Sequence, residues 1–167
     1  GTTLPHLCYS DKPGYRADGN CRACMVSIEG ERVLAASCIR KPTEGMKVIT
    51  NDERSTKSRK MVLELLVTDQ PDRETSHDPD SHFWNVASSV DVAKSRFDKR
   101  EKTIVPCEDA SHVAMSVNLD ACIHCNLCVR ACRDVQSNDV IGMAYRGHSS
   151  KVVFDFDDQM GSSSCVG

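Results

Sequence analysis

The sequence predicts an α+β chain in which two cysteine-bearing modules flank a helical, cysteine-poor linker, with boundaries at 1–52, 53–117 and 118–167. Three observations carry that prediction. Four cysteines fall between Cys8 and Cys38 and five between Cys122 and Cys165, with Cys107 alone in the long stretch between. Short alternating apolar runs bounded by turn residues surround both cysteine sets, which is the pattern of strands in hairpins. Between the sets, apolar residues recur at helical spacing.

Length and charge remove several classes. The 167 residues, with 21 Lys+Arg against 24 Asp+Glu for a net charge of −3, suffice for one ordinary domain or two small ones. There is no basic run to act as the footprint of a nucleic-acid binder. No apolar stretch approaches the roughly 18 residues of a membrane span. The best candidate, 61–67, has Glu64 in its middle. The chain opens on Gly1, and Cys165-Val166-Gly167 resembles the start of a further cysteine motif, so a piece of a longer polypeptide is expected.

The first cysteine set reads Cys8-x12-Cys21-x2-Cys24-x13-Cys38. A disulfide framework belongs to short secreted domains stapled throughout, and tightly spaced cysteines more often ligate metal. Structural zinc usually takes two close pairs, whereas this set has one pair flanked by two distant singles. A [2Fe-2S] cluster suits it better, because one loop supplies three thiolates and a separate strand the fourth; only the x12 interval departs from the plant-type spacing. Gly14, Gly19 and Asn20 supply positive φ angles that turn amide N–H groups toward an anionic cluster. Arg22 either offsets its negative charge or is a solvated surface arginine. Val26 and Ile28 alternate with Ser27, and Glu29-Gly30-Glu31 turns the chain into 32–36, which delivers Cys38, making a hairpin. Residues 48–50 form a further short strand.

In the linker, Met61, Val62, Leu65 and Leu66 mark one amphipathic helix, capped by Asn51 or Asp52. The polar stretch 69–81, with Pro71 and Pro79, is a loop, and 83–97 is a second helix. His77, His82, Cys107 and His112 lack any close chelating pair and are not taken as a third metal site.

The second set, Cys122-x2-Cys125-x2-Cys128-x3-Cys132, is the run that bacterial ferredoxins use for two [4Fe-4S] clusters. There the first three cysteines ligate one cluster and the fourth, at the start of a helix, crosses to the other. Arg133 stands where proline commonly follows the fourth cysteine. Cys165 opens a second such run. Residues 140–145 and 151–156 form a hairpin around 146–150, where His148 sits in the turn. His124 is a neighbour of the ligands and not one of them. A zinc ribbon would leave Cys128 or Cys132 unexplained.

These motifs together resemble a known family group. The order of a module with Pro5-His6-Leu7-Cys8-Tyr9 and Gly19-Asn20-Cys21-Arg22-Ala23-Cys24, a linker, and then paired [4Fe-4S] motifs is similar to the N-terminal region of three proteins. They are the large peripheral subunit of respiratory complex I, the NAD-linked and iron-only hydrogenases, and the α subunit of NAD-dependent formate dehydrogenases. The resemblance implies a partial β-grasp [2Fe-2S] ferredoxin module, whose first hairpin precedes Gly1, and a partial bacterial-ferredoxin-like 2[4Fe-4S] module.

Complex I and most hydrogenases carry His-x3-Cys-x2-Cys-x5-Cys in the linker, and residues 69–106 hold no cysteine. The runs Thr68-Asp69-Gln70-Pro71, Ser76-His77-Asp78-Pro79, His82-Phe83-Trp84, Asn118-Leu119-Asp120-Ala121-Cys122-Ile123 and Val153-Phe154-Asp155-Phe156-Asp157-Asp158 resemble a formate dehydrogenase branch that lost that cluster. This resemblance implies a molybdenum bis-pterin domain elsewhere in the parent polypeptide and an FMN-bearing partner that reduces NAD.

The resulting expectation is a cytoplasmic electron relay without catalytic residues of its own. Cys8, Cys21, Cys24 and Cys38 hold the [2Fe-2S] cluster. Cys122, Cys125 and Cys128 hold three corners of one [4Fe-4S] cluster, and Cys132 and Cys165 belong to the other. Two rivals stand beside it: the same clusters in a hydrogenase or complex I-like assembly, and a zinc-stabilised interaction module with no redox role.

Overall fold

The computed structural model describes residues 2–101 and 108–165, so Cys107 lies outside the described residues. It is a small mixed helix and strand structure that divides into two compact units. The first comprises residues 1–9 and 16–100, and the second 10–15 and 101–167. The helices of the expected linker therefore pack with the first cysteine set.

The first unit is organised on strand β1 (Met25–Ile28), which pairs antiparallel with β2 (Ala35–Ala36) on one edge and β3 (Val48–Ile49) on the other. The registers are Met25 with Ala36 and Ser27 with Ile49. Alternation decides which face is buried. Val26 and Ile28 point into the core, while Met25 and Ser27 are half-buried. Gly30, at φ +81°, closes the turn after β1.

Helix α1 (Glu53–Val67) begins where Asp52, in extended conformation, accepts a hydrogen bond from Ser55 N at 3.4 Å. The same carboxylate accepts from Ser27 Oγ at 2.9 Å, so one side chain starts the helix and fixes it to β1. Glu53 in the first turn suits the helix dipole. The buried face differs from the one that apolar periodicity predicts. Ser55, Arg59, Leu63 and Glu64 are buried, whereas Leu65 is exposed and Met61, Val62 and Leu66 are half-buried. The polar members tolerate burial because each has partners. Ser55 Oγ donates to Asp52 O, Arg59 donates to Met25 O, and Arg96 pairs with both oxygens of Glu64 at 2.8 and 3.1 Å.

The expected loop at 69–81 contains a short 3-10 turn, Arg73–Thr75. Helix α2 (His82–Ser89) starts on Ser81, whose Oγ accepts from Trp84 N, and buries Phe83, Trp84, Val86 and Ala87. It ends well before Phe97, where the sequence pattern places its end. Asp91 is left-handed (φ +57°), its N–H donates to Ser88 O, and Val92 N donates to Ala87 O. These are the paired bonds of a Schellman stop. Val92, 2% exposed, then packs in the core.

The second unit joins β4 (Glu108–Asp109) to β5 (Val117–Asn118), followed by a 3-10 turn at Leu119–Ala121. Helix α3 (Leu127–Arg130) runs into a π-helical turn, Ala131–Val135, and then a hairpin of β6 (Ile141–Ala144) and β7 (Lys151–Phe154). Cys132 lies inside the π turn and not at the start of a helix, where its position in the motif puts it; Cys128 takes the first helical turn instead. Among the described residues of this unit, Val129, Cys132, Val140, Val152, Val153, Phe154 and Met160 are the buried apolar ones, and Arg130 is buried with them. Gly14 has positive φ, but it serves the second unit. Its Cα faces Val135, whose Cγ2 lies 3.2 Å from where a Cβ would sit.

The chain before Cys165 is tied down by Asp109. Its carboxylate accepts from Met160 N at 2.7 Å and from Ser111 N at 3.0 Å, and Ser111 Oγ accepts from Gly161 N at 2.8 Å. Met160 N–H, then Ser111, holds the Asp109 carboxyl below the usual carboxylate range. Its folded pKa thus lies below the unfolded value of roughly 3.9, so its contribution is present above that pH and is lost as pH falls through the folded value. Asp109→Asn is therefore expected to lower stability at neutral pH, with the gap from the parent protein closing below about pH 4. Urea unfolding across pH checks this, and a gap that stays constant down to pH 2 would contradict it.

Candidate iron-sulfur site

The first four cysteines converge within the first unit. Cys8 and Cys24 are almost fully buried, at 1% and 2% exposure, and Cys21 and Cys38 are half-buried. Cys21 N approaches Cys8 Sγ at 3.5 Å. Ser37 N donates to Cys24 O at 3.2 Å, which joins the start of β1 to the segment that delivers Cys38. All four thiols carry no disulfide.

Their closeness appears in their protonation. Burial is the main reason that the Cys38 thiol is pushed up to about 12, and the neighbouring thiols of Cys24, Cys8 and Cys21 add to it. Burial also raises Cys8, against the opposing effect of the Cys21 N–H. Four such groups cannot all ionise in a buried site unless something cationic sits among them. Among the described residues, however, no three His, Cys, Asp or Glu side chains draw together as a site for a single metal ion.

The backbone reaches this arrangement through two left-handed residues. Gly19 (φ +67°) and Arg22 (φ +58°) bracket Asn20-Cys21, while Asn20 itself does not take positive φ, contrary to the sequence expectation. Arg22 instead carries the bend that its neighbours impose. At Gly19 a Cβ would lie 2.9 Å from Ile39 Cδ1, so this loop presses on the residue after Cys38.

His82 fills a role that the sequence did not suggest. Its Nε2–H donates to His6 O at 2.8 Å and its ring lies 5.6 Å from that of His6, which in turn meets Tyr9 edge-on at 5.6 Å. The start of α2 thereby supports the segment that presents Cys8. A cavity of about 160 Å³ lined by Leu4, His6, Tyr9, Cys24, Ser37 and Cys38 opens on the same side.

In the second unit, desolvation and then the thiols of Cys122 and Cys125 raise the Cys128 thiol, although the residue itself is exposed, so these three form a second group. His124 (φ +53°) and Asn126 (φ +61°) are both left-handed, and His124 N donates to Cys122 Sγ at 3.4 Å. His124 is exposed and its ring takes no described part. Cys132 Sγ accepts from Val140 N at 3.1 Å and Ile141 N at 3.4 Å. Cys165 is half-buried, with its N–H on Ser163 Oγ, and no described contact joins its thiol to another cysteine. His77 is exposed, and His112 Nδ1 accepts from Ala114 N; neither approaches a cysteine group.

The chemistry of the first donor set fits a [2Fe-2S] cluster: four thiols, no carboxylate, burial, and an N–H at a sulfur. Comparison with known proteins agrees. Residues 1–53 match the family described as a 2Fe-2S iron-sulfur cluster binding domain. Over 98% of its length the chain is 28% identical to the NADP-reducing hydrogenase subunit HndD of Solidesulfovibrio fructosivorans. It is 31% identical over 91% of its length to the mitochondrial NADH-ubiquinone oxidoreductase 78 kDa subunit of Candida albicans. It is 30% identical over 93% of its length to the NAD-reducing hydrogenase HoxS subunit gamma of Cupriavidus necator.

The chain spans 28%, 21% and 65% of the lengths of these three relatives, respectively. A chain in the crystal structure of an NAD+-reducing [NiFe]-hydrogenase in the H2-reduced state superimposes on 98% of this one, with a TM-score of 0.81 and 25% identity, and 68% of that chain is covered. The chain thus carries a 2Fe-2S ferredoxin-like domain related to those of NAD-reducing hydrogenase and complex I subunits.

Gly19→Ala is expected to destabilise the first unit by about 1–3 kcal/mol, through a strained left-handed alanine and its collision with Ile39. Thermal unfolding and iron content per chain measure it. Partial recovery in the Gly19→Ala, Ile39→Ala double variant follows if the collision contributes, and full iron content with an unshifted midpoint in the single variant would contradict the account.

Proposed function

We propose that this chain is an iron-sulfur electron relay within a larger NAD-linked oxidoreductase. The observation that carries the reading is the convergence of Cys8, Cys21, Cys24 and Cys38 in one largely buried, all-thiol site, where burial first and the neighbouring thiols second raise Cys38. In this reading those four residues hold a [2Fe-2S] cluster, which supplies one-electron transfer when bound. Cys122, Cys125 and Cys128 hold three corners of a [4Fe-4S] cluster, and Cys132 and Cys165 serve a second. Along the sequence, the modules in this reading run 1–52, 53–117 and 118–167, with the helices of the middle one packed in the same compact unit as the first cysteine set.

The residues themselves bind and insulate. Cys8 and Cys24 lie beneath the surface, the Cys21 N–H is directed at Cys8 Sγ, and the Val140 and Ile141 N–H groups are directed at Cys132 Sγ. Such N–H contacts and burial tune cluster potentials. The side that bears His6, Tyr9 and the adjoining cavity is the accessible edge of the first site, where a partner approaches.

For the parent enzyme, the linker residues favour the α subunit of a formate dehydrogenase, with a molybdenum bis-pterin domain in the same polypeptide and a flavin partner that reduces NAD. That reading rests on the runs 68–71, 76–79 and 82–84 and on the lack of cysteine from 69 to 106. The second reading, a hydrogenase or complex I-type subunit, is favoured by the relatives named above. Either parent is taken as cytoplasmic. No helix among the described residues is long and apolar enough to cross a membrane.

Cys24→Ser and Cys128→Ser, made in the full polypeptide, separate the two groups. Electron paramagnetic resonance of the dithionite-reduced protein is expected to show loss or perturbation of only the rhombic [2Fe-2S] signal in the first variant. In the second, only a fast-relaxing [4Fe-4S] signal should change. Spectra unaltered by either substitution would refute the assignment, and bound zinc without iron would favour a structural module.

A further inference from the structure

Arg59 is a buried cation without a carboxylate partner among the described residues. The residue is 7% exposed, and its guanidinium donates to Met25 O at 2.8 Å and to Thr56 Oγ1 at 3.3 Å. Neither acceptor is charged, and none of the described ion pairs includes Arg59. None of the carboxylates at its own helix is a described partner of Arg59. Glu64 is held by Arg96, Glu53 is exposed in the first turn, and Asp52 accepts from Ser27 and Ser55 through Oδ2 while its buried Oδ1 has no hydrogen-bond partner among the described residues. Burying a guanidinium with only neutral acceptors is unfavourable unless an anion lies nearby.

The chain position of its acceptor points to the first cysteine group as the source of that anion. Met25 directly follows Cys24, and the sheet register sets it against Ala36, two residues before Cys38. Arg59 is therefore anchored to the backbone beside one thiolate, across the strand pair from the segment that delivers another. A two-iron cluster on four thiolates is anionic and becomes more so on accepting an electron, so a fixed cation in a low-dielectric surrounding favours the reduced state. The packing also explains why α1 turns this face, Ser55-Arg59-Leu63, toward β1 in place of its more apolar one.

We propose that Arg59 is the buried counter-charge of the [2Fe-2S] centre and holds its reduction potential up. The inference rests on the cluster assignment made above. It gives α1 an electrostatic role beyond packing, and it makes the residue a positioned charge and not a ligand.

Redox titration of the full polypeptide, followed through the rhombic [2Fe-2S] signal, tests it with two substitutions. Arg59→Gln keeps a hydrogen-bond donor for Met25 O but removes the charge. Arg59→Lys keeps the charge and loses the planar fork. The proposal expects Arg59→Gln to lower the one-electron reduction equilibrium constant at least tenfold, about 59 mV, and Arg59→Lys to stay near the parent value. A potential unchanged in Arg59→Gln, or equal shifts in both variants, would overturn it. So would loss of the cluster from both variants in a protein whose circular dichroism shows an intact fold, since that outcome assigns a structural role. Absence of the rhombic signal from the parent protein would instead overturn the cluster assignment itself.

Discussion

The gathering of four thiols into one largely buried site is the constraint on which the first unit depends. Cys8, Cys21, Cys24 and Cys38 come from three separate stretches of chain and share one apolar site, where burial and neighbouring sulfurs push Cys38 up to about 12. The fold holds them together, and the scaffold around them makes sense as a device for doing so. A cationic inorganic core supplies the positive charge that four thiolates in a buried site require. Mixed thiol and carboxylate ligation would not demand four sulfurs at this spacing.

Strand β1 is where that scaffold is anchored. It begins next to Cys24, and it pairs on one side with β2, which leads to Cys38. Asp52 joins it to α1 through Ser27, and Arg59 joins it again through Met25 O. On the far side, His82 steadies the Cys8 segment by its bond to His6 O. These polar ties supplement an apolar core that includes Val26, Ile28, Leu63, Phe83, Trp84 and Val92. In the second unit such ties recur: Asp109 and Ser111 hold Met160 and Gly161, and Asp155 accepts from Ser164 just before Cys165.

Much of this was legible in the residues. Cysteine spacing separated the two groups, alternation marked β1 and the later hairpin, and Asp52 was one of two named caps for α1. Other features escaped for definite reasons. The α1 face was misjudged because apolar periodicity ignores polar groups that carry their own partners, as Ser55 and Arg59 do. The stop after Ser89 was missed because Asp91, a non-glycine residue, takes the left-handed position. Arg22 does the same beside Cys21, where Asn20 was the expected bend. Gly14 was assigned to the wrong cysteine group because proximity in sequence to Cys8 did not reveal its packing on Val135. His82 gave no local signal at all, since its partner lies 76 residues away.

The central claim is that the buried all-thiol site exists to hold a two-iron cluster. The most direct measurement is Mössbauer spectroscopy of anaerobically prepared, iron-57-labelled full polypeptide, with acid-labile sulfide and zinc quantified on the same sample. The account predicts a diamagnetic two-iron component in the oxidised protein that becomes a trapped-valence ferric–ferrous pair on reduction, with matching sulfide. Zinc at that site, or iron without sulfide, would contradict it.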